Sequence, residues 1–136
     1  MMHGRSRVGG RTGAWVAAFA LVCCFGCAMK SRPRDMPAAP PEVTAARAEV
    51  DDAFRAARDD PRTFAKLVGK AVTKCREALE QWALVAGGDS ARGAIRGWAI
   101  EVGAIETSIA QLPKSPQEDQ LRPIRDSWSR LRPELP

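Results

Sequence analysis

The chain lacks several residue types on which common active sites depend. It contains no tyrosine and no asparagine, and its single histidine is His3. Without asparagine there is no acceptor for Asn-linked glycosylation. Without histidine beyond position 3, the commonest general base and the commonest metal ligand are missing from the rest of the chain. We therefore expect no catalytic site, no metal site and no cofactor.

Cysteine is scarce outside the N-terminal region. Cys23, Cys24 and Cys27 lie close together, and only Cys75 follows them. A single cysteine cannot form an internal disulfide, so the folded part must be stable without one. Cys75 falls on an apolar helical stripe and is predicted to be a buried free thiol. An intermolecular disulfide is the alternative in an oxidising compartment.

Positive charge is modest once the N-terminal region is set aside. The whole chain has a formal net charge of +5 at pH 7, but from Cys27 onward 18 Lys and Arg face 16 Asp and Glu. These charges are interleaved along the chain rather than gathered in one block, so we expect no nucleic-acid partner. Lys66, Lys70 and Lys74 form one basic row. We interpret it as a solvated face, with docking on an acidic partner or an anionic surface as the alternative.

The N-terminal region has the pattern of a secretory signal. The first 13 residues carry three arginines and no acid, and residues 14–25 carry no charge. A basic segment followed by a short apolar segment is typical of a signal peptide. A membrane-spanning helix needs about 20 apolar residues, whereas residues 14–29 supply 16 before Lys30. The pattern therefore favours a signal peptide over a short spanning anchor.

The apolar run ends in Cys24-Phe25-Gly26-Cys27, which resembles the lipobox of a bacterial lipoprotein precursor. The resemblance covers about the first 27 residues. It implies that residues 1–26 are removed and that Cys27 is diacylated on sulfur, with Cys24 as the alternative site. It also implies a bacterial cell envelope protein, held in the outer membrane if the host is a proteobacterium. A secreted or periplasmic form is the alternative.

The remainder divides into a tether and one domain. Residues 27–41 hold the lipidated cysteine and a segment with four prolines, which favours an extended chain. At about 3.1 Å per residue, such a tether would lift the domain roughly 40 Å from the bilayer. Residues 42–136 form the predicted domain, which is long enough for one modest core.

Apolar residues recur at helical spacing throughout this domain. We predict helices over 42–58, 61–86 and 90–112, and a fourth segment over 116–132 that Pro123 kinks or breaks. No segment resembles a strand, so the predicted fold class is all-α, a small antiparallel bundle of three to four helices. The predicted core stripes are Val43, Ala46, Val50, Ala53 and Ala57; Phe64, Val68, Ala71, Cys75, Ala78, Trp82 and Val85, widened by Leu67, Val72, Leu79 and Ala86; Ala91, Ile95, Trp98, Val102, Ile105, Ile109 and Leu112; and Leu121, Ile124, Trp128 and Leu131.

The polar and small residues predict how these helices begin and pair. We expect Asp60 to cap the second helix, Asp89 or Ser90 to cap the third, and Ser115 with Glu118 to form a capping box at the fourth. Charged residues four apart are predicted to pair on exposed faces, and one strip of small residues is predicted to allow close helix packing. The predicted pairs are Arg47–Asp51, Asp51–Arg55 and Arg76–Glu80, and the small strip is Gly93, Gly97, Ala104 and Ser108.

Trp82, Trp98 and Trp128 are the candidate site residues of the domain. Most simply they belong to the core, and a sharper hypothesis makes them the lining of a groove for a partner helix or an acyl chain. Two functions fit. The first is a non-catalytic adaptor, scaffold or assembly factor with an envelope protein as partner, similar in size and plan to small helical lipoproteins such as secretion pilotins. The second is a carrier of an apolar ligand.

Overall fold

The computed structural model describes residues 33–136. The predicted signal peptide, Cys24 and Cys27 therefore lie outside the described residues. All regular structure between residues 33 and 136 is helical, which confirms the all-α fold class. The elements are α1 (Pro41–Ala56), α2 (Pro61–Val85), α3 (Asp89–Ala110) and α4 (Glu118–Leu131), followed by a 3₁₀ turn at Arg132–Glu134.

Helices α2 and α3 form an antiparallel pair. The Arg76 guanidinium contacts the Glu106 carboxylate at 3.0 Å, and the rings of Trp82 and Trp98 stack with centroids 6.3 Å apart. As the residue number rises along α2, the number of its partner on α3 falls. The short connection through Gly87 and Gly88 makes this direction the natural one.

Helix α1 lies antiparallel to α2 on another side of it. Lys74 contacts Glu49 at 3.0 Å, and the ring of Phe64 meets that of Phe54 edge to face at a centroid distance of 5.6 Å. Helix α2 therefore contributes its apolar surface to two neighbours, as its wide stripe predicts.

Helix α4 returns antiparallel to α1. Trp128 stacks on Phe54 with centroids 6.2 Å apart, and the Leu135 carbonyl, seven residues later, accepts a hydrogen bond from Arg47, seven residues earlier. The described chain is thus an up-down-up-down bundle of four antiparallel helices, the architecture that short connections favour.

The predicted stripes form the core, with two exceptions on α2. Most members of the stripes are buried, and Ala53, Ala78 and Leu112 are partly buried against the core. No polar or charged residue of the described chain is buried. Val85 and Leu67, however, are 78% and 40% exposed. At the end of α2, the predicted Ala86 is buried together with Ala83, which lies outside the predicted stripe, because the face that meets α3 passes through these positions.

The close approach of α2 and α3 occurs at other glycines than predicted. A Cβ atom at Gly69 would lie 3.4 Å from the Cγ2 atom of Ile109, and one at Gly103 would lie 3.4 Å from the Cδ atom of Arg76. A Cβ atom at Gly93 or Gly97 would meet nothing within 4 Å. The predicted packing role of Gly93 and Gly97 is therefore wrong, because their strip lies on the outer face of α3.

The caps of α3 and α4 also differ from the predicted ones. The N-cap of α3 is Gly88, with a φ of 89°, and no side chain caps this helix. Helix α4 has a capping box of Gln117 and Gln120, in which the Gln117 backbone N–H donates to Gln120 Oε1 at 2.8 Å. The predicted box at Ser115 is two residues too early, because Pro116 is buried ahead of the helix. At α2 the prediction is confirmed, since Asp60 accepts from the Arg62 N–H.

Pro123 does not divide the fourth helix. It lies inside the continuous α4, early in the helix, where it removes one hydrogen bond to the Asp119 carbonyl. Both residues are exposed, so water can satisfy that carbonyl. Burial of Leu121 and Ile124 on either side of the proline favours the continuous helix.

The C-terminal part of the predicted tether belongs to the bundle. Met36 and Ala39 are partly buried and pack against the core. From Met36 onward the chain is therefore not a free spacer, because these apolar side chains gain more from contact with the core than from solvent. None of the helices in the described part of the chain combines the length and the apolar character needed to cross a bilayer.

The glycines of α3 provide a test of this arrangement. Replacing Gly93 or Gly97 with Ala should raise the free energy of unfolding by about 0.5 to 1 kcal/mol each, because Ala favours the helix and finds open space. Gly88→Ala, in contrast, should lower it by about 1 kcal/mol or more, because Gly88 has a positive φ. Urea denaturation measures all three. Destabilisation by Gly97→Ala would contradict an open outer face.

Candidate functional site

Two rows of polar side chains face each other across α1 and α4. Within each row the residues are spaced four and three apart, which places them on one flank of a helix. The flank of α4 lies beside its buried stripe, so the packing that buries Trp128 also turns this flank towards α1. The rows are Asp51, Arg55 and Arg58 on α1 and the turn after it, and Arg125, Ser129 and Arg132 on α4 and the turn after it.

Between these rows lies an open groove of about 500 Å³. Phe54 and Trp128 complete its lining, with their rings stacked at an interplanar angle of 16°. Trp128 is only 4% exposed, so the groove has an aromatic floor that is part of the core. Its four arginines surround this floor.

Asp51 holds the two sides of the groove together. Its Oδ1 atom accepts a hydrogen bond from the indole Nε1–H of Trp128 at 2.9 Å, and its Oδ2 atom accepts one from Nε of Arg132 at 2.8 Å. The Asp51 side chain is 17% exposed. A charge-assisted pair of bonds at such a site is stronger than an exposed ion pair, so it fixes α4 on α1.

The other three arginines are held to different degrees. Arg125 pairs with Glu118 and lies over the Phe64 ring, with its Cζ atom 5.7 Å from the centroid. Its Nη2 nitrogen is buried without a hydrogen-bond acceptor among the described residues. Arg55 pairs with the exposed Asp52 at 2.7 Å. Arg58 is exposed and makes no side-chain hydrogen bond or ion pair to a described residue.

The predicted exposed pairs within α1 do not form. Arg47 and Asp51 are both used in contacts with the C-terminal segment, and Arg55 bonds Asp52 instead. The pair Arg76–Glu80 is confirmed at 2.9 Å. Arg47 and Asp51 bond to residues of another element because both side chains are partly buried between helices. There, hydrogen bonds to a second element replace the hydrogen bonds to water that are lost on burial.

The three candidate tryptophans all belong to the hydrophobic core. Trp82 and Trp98 are 3% and 8% exposed and stack on each other. Only Trp128 lines the groove between α1 and α4. The structure therefore brings Trp82 and Trp98 together and places Trp128 at a different site.

Sequence reasoning missed the four arginines of the groove. They are interleaved with acids along the chain, and interleaved charges by themselves indicate a dispersed charge and no basic patch. A signal was present, since Arg125 and Arg132 are seven residues apart beside a buried stripe, as are Asp51 and Arg58. The pairing of α1 with α4, which brings the two rows together, is not visible in either segment alone.

Cys75 lies in the core behind this site and is 1% exposed. Burial raises the pKa of its thiol to about 11, a shift that Arg47 opposes and Asp51 reinforces. At neutral pH the thiol is therefore protonated and is a poor nucleophile. This agrees with its prediction as a buried free thiol.

The groove has the chemistry of an anion-binding surface. Guanidinium groups stay charged throughout the accessible pH range and bond carboxylates or phosphates in a bidentate manner. Among residues 33–136, no group of three His, Cys, Asp or Glu side chains is arranged to hold a metal ion. Binding of an anion, rather than transfer of a proton by the groove, is what the arginines can perform.

Removal of the Asp51 carboxylate should weaken the attachment of α4. Asp51→Ala leaves the buried Trp128 N–H without an acceptor, so we expect the free energy of unfolding to fall by about 2 to 3 kcal/mol. The adjacent Asp52→Ala removes only an exposed pair and should change it by less than about 0.5 kcal/mol. Urea denaturation monitored by tryptophan fluorescence distinguishes the two, and equal effects would contradict the role of Asp51.

The Cys75 thiol should make stability fall at alkaline pH. Its pKa is raised from 9.0 to about 11 in the folded protein, so only the unfolded chain ionises between these pH values. The stabilisation is complete below pH 9 and is lost as pH rises through 11, by roughly 3 kcal/mol. Urea denaturation of wild type and Cys75→Ala isolates this contribution. Identical pH dependence in both proteins would contradict it.

The chain matches no family model, no curated protein and no solved structure.

Proposed function

We propose that this protein is a bacterial envelope lipoprotein, anchored in a membrane through Cys27, whose helical bundle is a non-catalytic adaptor, scaffold or assembly factor. The observation that carries the proposal is the sequence Cys24-Phe25-Gly26-Cys27 at the end of a short apolar run. It stands ahead of a separate folded unit that begins by residue 33. A lipid anchor joined to a small domain is the organisation of a tethered binding module.

The described bundle supports a binding role more than a catalytic one. Its interior holds no polar or charged residue, and its one buried thiol is kept protonated by burial. Its charged groups instead lie on the surface, where they are available to a partner. The arginine groove between α1 and α4 is the surface that best suits such a role.

A carrier of an apolar ligand or acyl chain is the alternative proposal. It needs apolar side chains that face an accessible space between helices. The rings of Trp82 and Trp98 stack on each other, so these two residues do not support the carrier proposal. Native mass spectrometry of the purified protein would favour the carrier if a lipid remained bound in addition to the covalent anchor.

The proposed location is the bacterial cell envelope, in the outer membrane if the host is a proteobacterium. The proposed attachment is the lipid anchor, together with a protein partner in the envelope. A secreted or periplasmic form without lipid is the alternative location. Labelling with palmitate distinguishes the lipid-anchored form from the form without lipid.

Labelled palmitate should enter the wild-type protein and be lost in Cys27→Ser, because acyl transfer requires that thiol. Cys24→Ser and Cys75→Ser should both retain the label, the first because Gly26 directs processing to Cys27 and the second because Cys75 is buried. Gel autoradiography after expression in bacteria reads the label. Loss of the label only in Cys24→Ser would show that Cys24, and not Cys27, is the acylated residue. An unlabelled wild-type protein would overturn the proposed anchoring.

A further inference from the structure

We propose that the groove between α1 and α4 binds an acidic segment of a partner protein. The contacts would be made to the partner's carboxylates by Arg55, Arg58, Arg125 and Arg132. An acidic segment would be the part of the partner that the proposed adaptor recognises. The biological role of this binding rests on the proposed adaptor function. The binding itself does not depend on the lipid anchor.

The charge of the groove is a local feature of the fold. Residues 33–136 contain 16 Lys and Arg and 16 Asp and Glu, so this part of the chain is neutral overall. The groove nevertheless collects four arginines against one lining carboxylate, that of Asp51. Even that carboxylate is engaged by Trp128 and Arg132. Asp52 and Glu118 lie outside the lining and pair with Arg55 and Arg125, which leaves Arg58 as the positive charge of the groove without an acidic partner among the described residues. In a neutral domain, such a local excess of positive charge favours a specific anionic partner over general attraction to anions.

The four arginines combine fixed and adaptable groups. Arg132 is held by Asp51, and Arg125 is held by Glu118 and the Phe64 ring, so both guanidiniums are positioned before a ligand arrives. Arg55 is 77% exposed and bonds only the exposed Asp52, while Arg58 has no described partner. An exposed ion pair exchanges readily for another carboxylate. The groove can therefore accept a ligand without breaking the contacts that hold α4.

The shape of the groove favours a chain over a small ion. The first and last residues of each row are seven positions apart, which corresponds to about 10 Å along a helix. Phe54 is only partly buried, so its ring adds an apolar surface that an isolated phosphate would leave uncovered. Arginine is also among the residues that most often contribute binding energy in protein interfaces. A peptide with several carboxylates matches both the length and the chemistry.

The concave form of the groove favours a protein over a lipid surface. The groove lies between two helices, and Asp51 and Phe54 are among its lining residues. An extended peptide can enter such a groove, whereas a bilayer is broad and would meet only its outermost side chains.

The test is fluorescence anisotropy of a fluorescein-labelled oligoglutamate peptide titrated with the full chain in detergent, at about 0.01 M and about 0.15 M salt. We expect binding that weakens with salt and an oligoglutamine peptide of the same length that does not bind. Arg55→Gln combined with Arg58→Gln should weaken binding about tenfold or more, because two guanidinium contacts are lost. Both residues are exposed, and circular dichroism should show an unchanged helix content.

The matched control is Lys66→Gln combined with Lys70→Gln on α2, which removes the same charge from exposed positions outside the groove. It should change the affinity by less than about twofold. Equal weakening by the two double variants would overturn the proposal, as would no binding of oligoglutamate at low salt. Vesicles that contain phosphatidylglycerol form the competing probe. Binding to these vesicles that depends on Arg55 and Arg58, with no peptide binding, would replace the protein partner by a lipid surface.

These outcomes are separate from those of the palmitate experiment. Labelled protein that does not bind the peptide would overturn the proposed binding by the groove and would support the proposed anchor. Unlabelled protein that binds it through Arg55 and Arg58 would overturn the anchor and support the groove.

Discussion

The bond between the Trp128 indole and the Asp51 carboxylate closes the four-helix bundle. Helices α1 and α4 are the first and last of the domain, and the stacked rings of Phe54 and Trp128 bring them together. Stacking alone would bury the indole N–H without an acceptor, which is costly in an apolar interior. Asp51 satisfies it and binds Arg132 with its other oxygen. One carboxylate therefore fixes both the position of α4 and the geometry of the groove.

The interior of the domain is otherwise apolar and its ionic contacts are peripheral. Arg76 links α2 to Glu106 of α3, and Lys74 links α2 to Glu49 of α1. Such pairs orient neighbouring helices more than they stabilise them, because water screens their charges. Stability comes chiefly from burial of the stripes, and close contact at Gly69 and Gly103 allows α2 and α3 to approach. The charged groups therefore remain on the surface, where the proposed recognition of a partner would take place.

The proposed anchor and the arginine groove are both consistent with a binding domain tethered to a membrane. The lipobox-like sequence predicts where the domain is held, and the groove indicates which chemistry it presents there. Packing of Met36 and Ala39 on the core shortens the predicted tether, so the domain would stand closer to its membrane than the proline content suggests. The groove is the part of this domain that we propose to meet other proteins of the envelope.

The sequence by itself determined the helices and most of the core. Residues such as Val50, Ile95 and Trp128 recur at the helical period, and an amphipathic helix can bury only the face on which they lie. Asp60 with Pro61 determined the start of α2 because a cap and a proline act within one turn. Prediction of the caps of α3 and α4 failed because several nearby residues were suitable locally. At α4 the burial of Pro116 was needed to choose between them.

The groove was decided only by the tertiary structure. Asp51 and Arg132 are 81 positions apart in the chain, and no local pattern relates them. The spacing of Arg125 and Arg132 shows that they share one flank of a helix, but not which helix that flank meets. The same applies to Gly97, whose outward position depends on where α2 and α4 lie. Local spacing determines the face of a helix, whereas the partner of that face follows from how all four helices bury their stripes together.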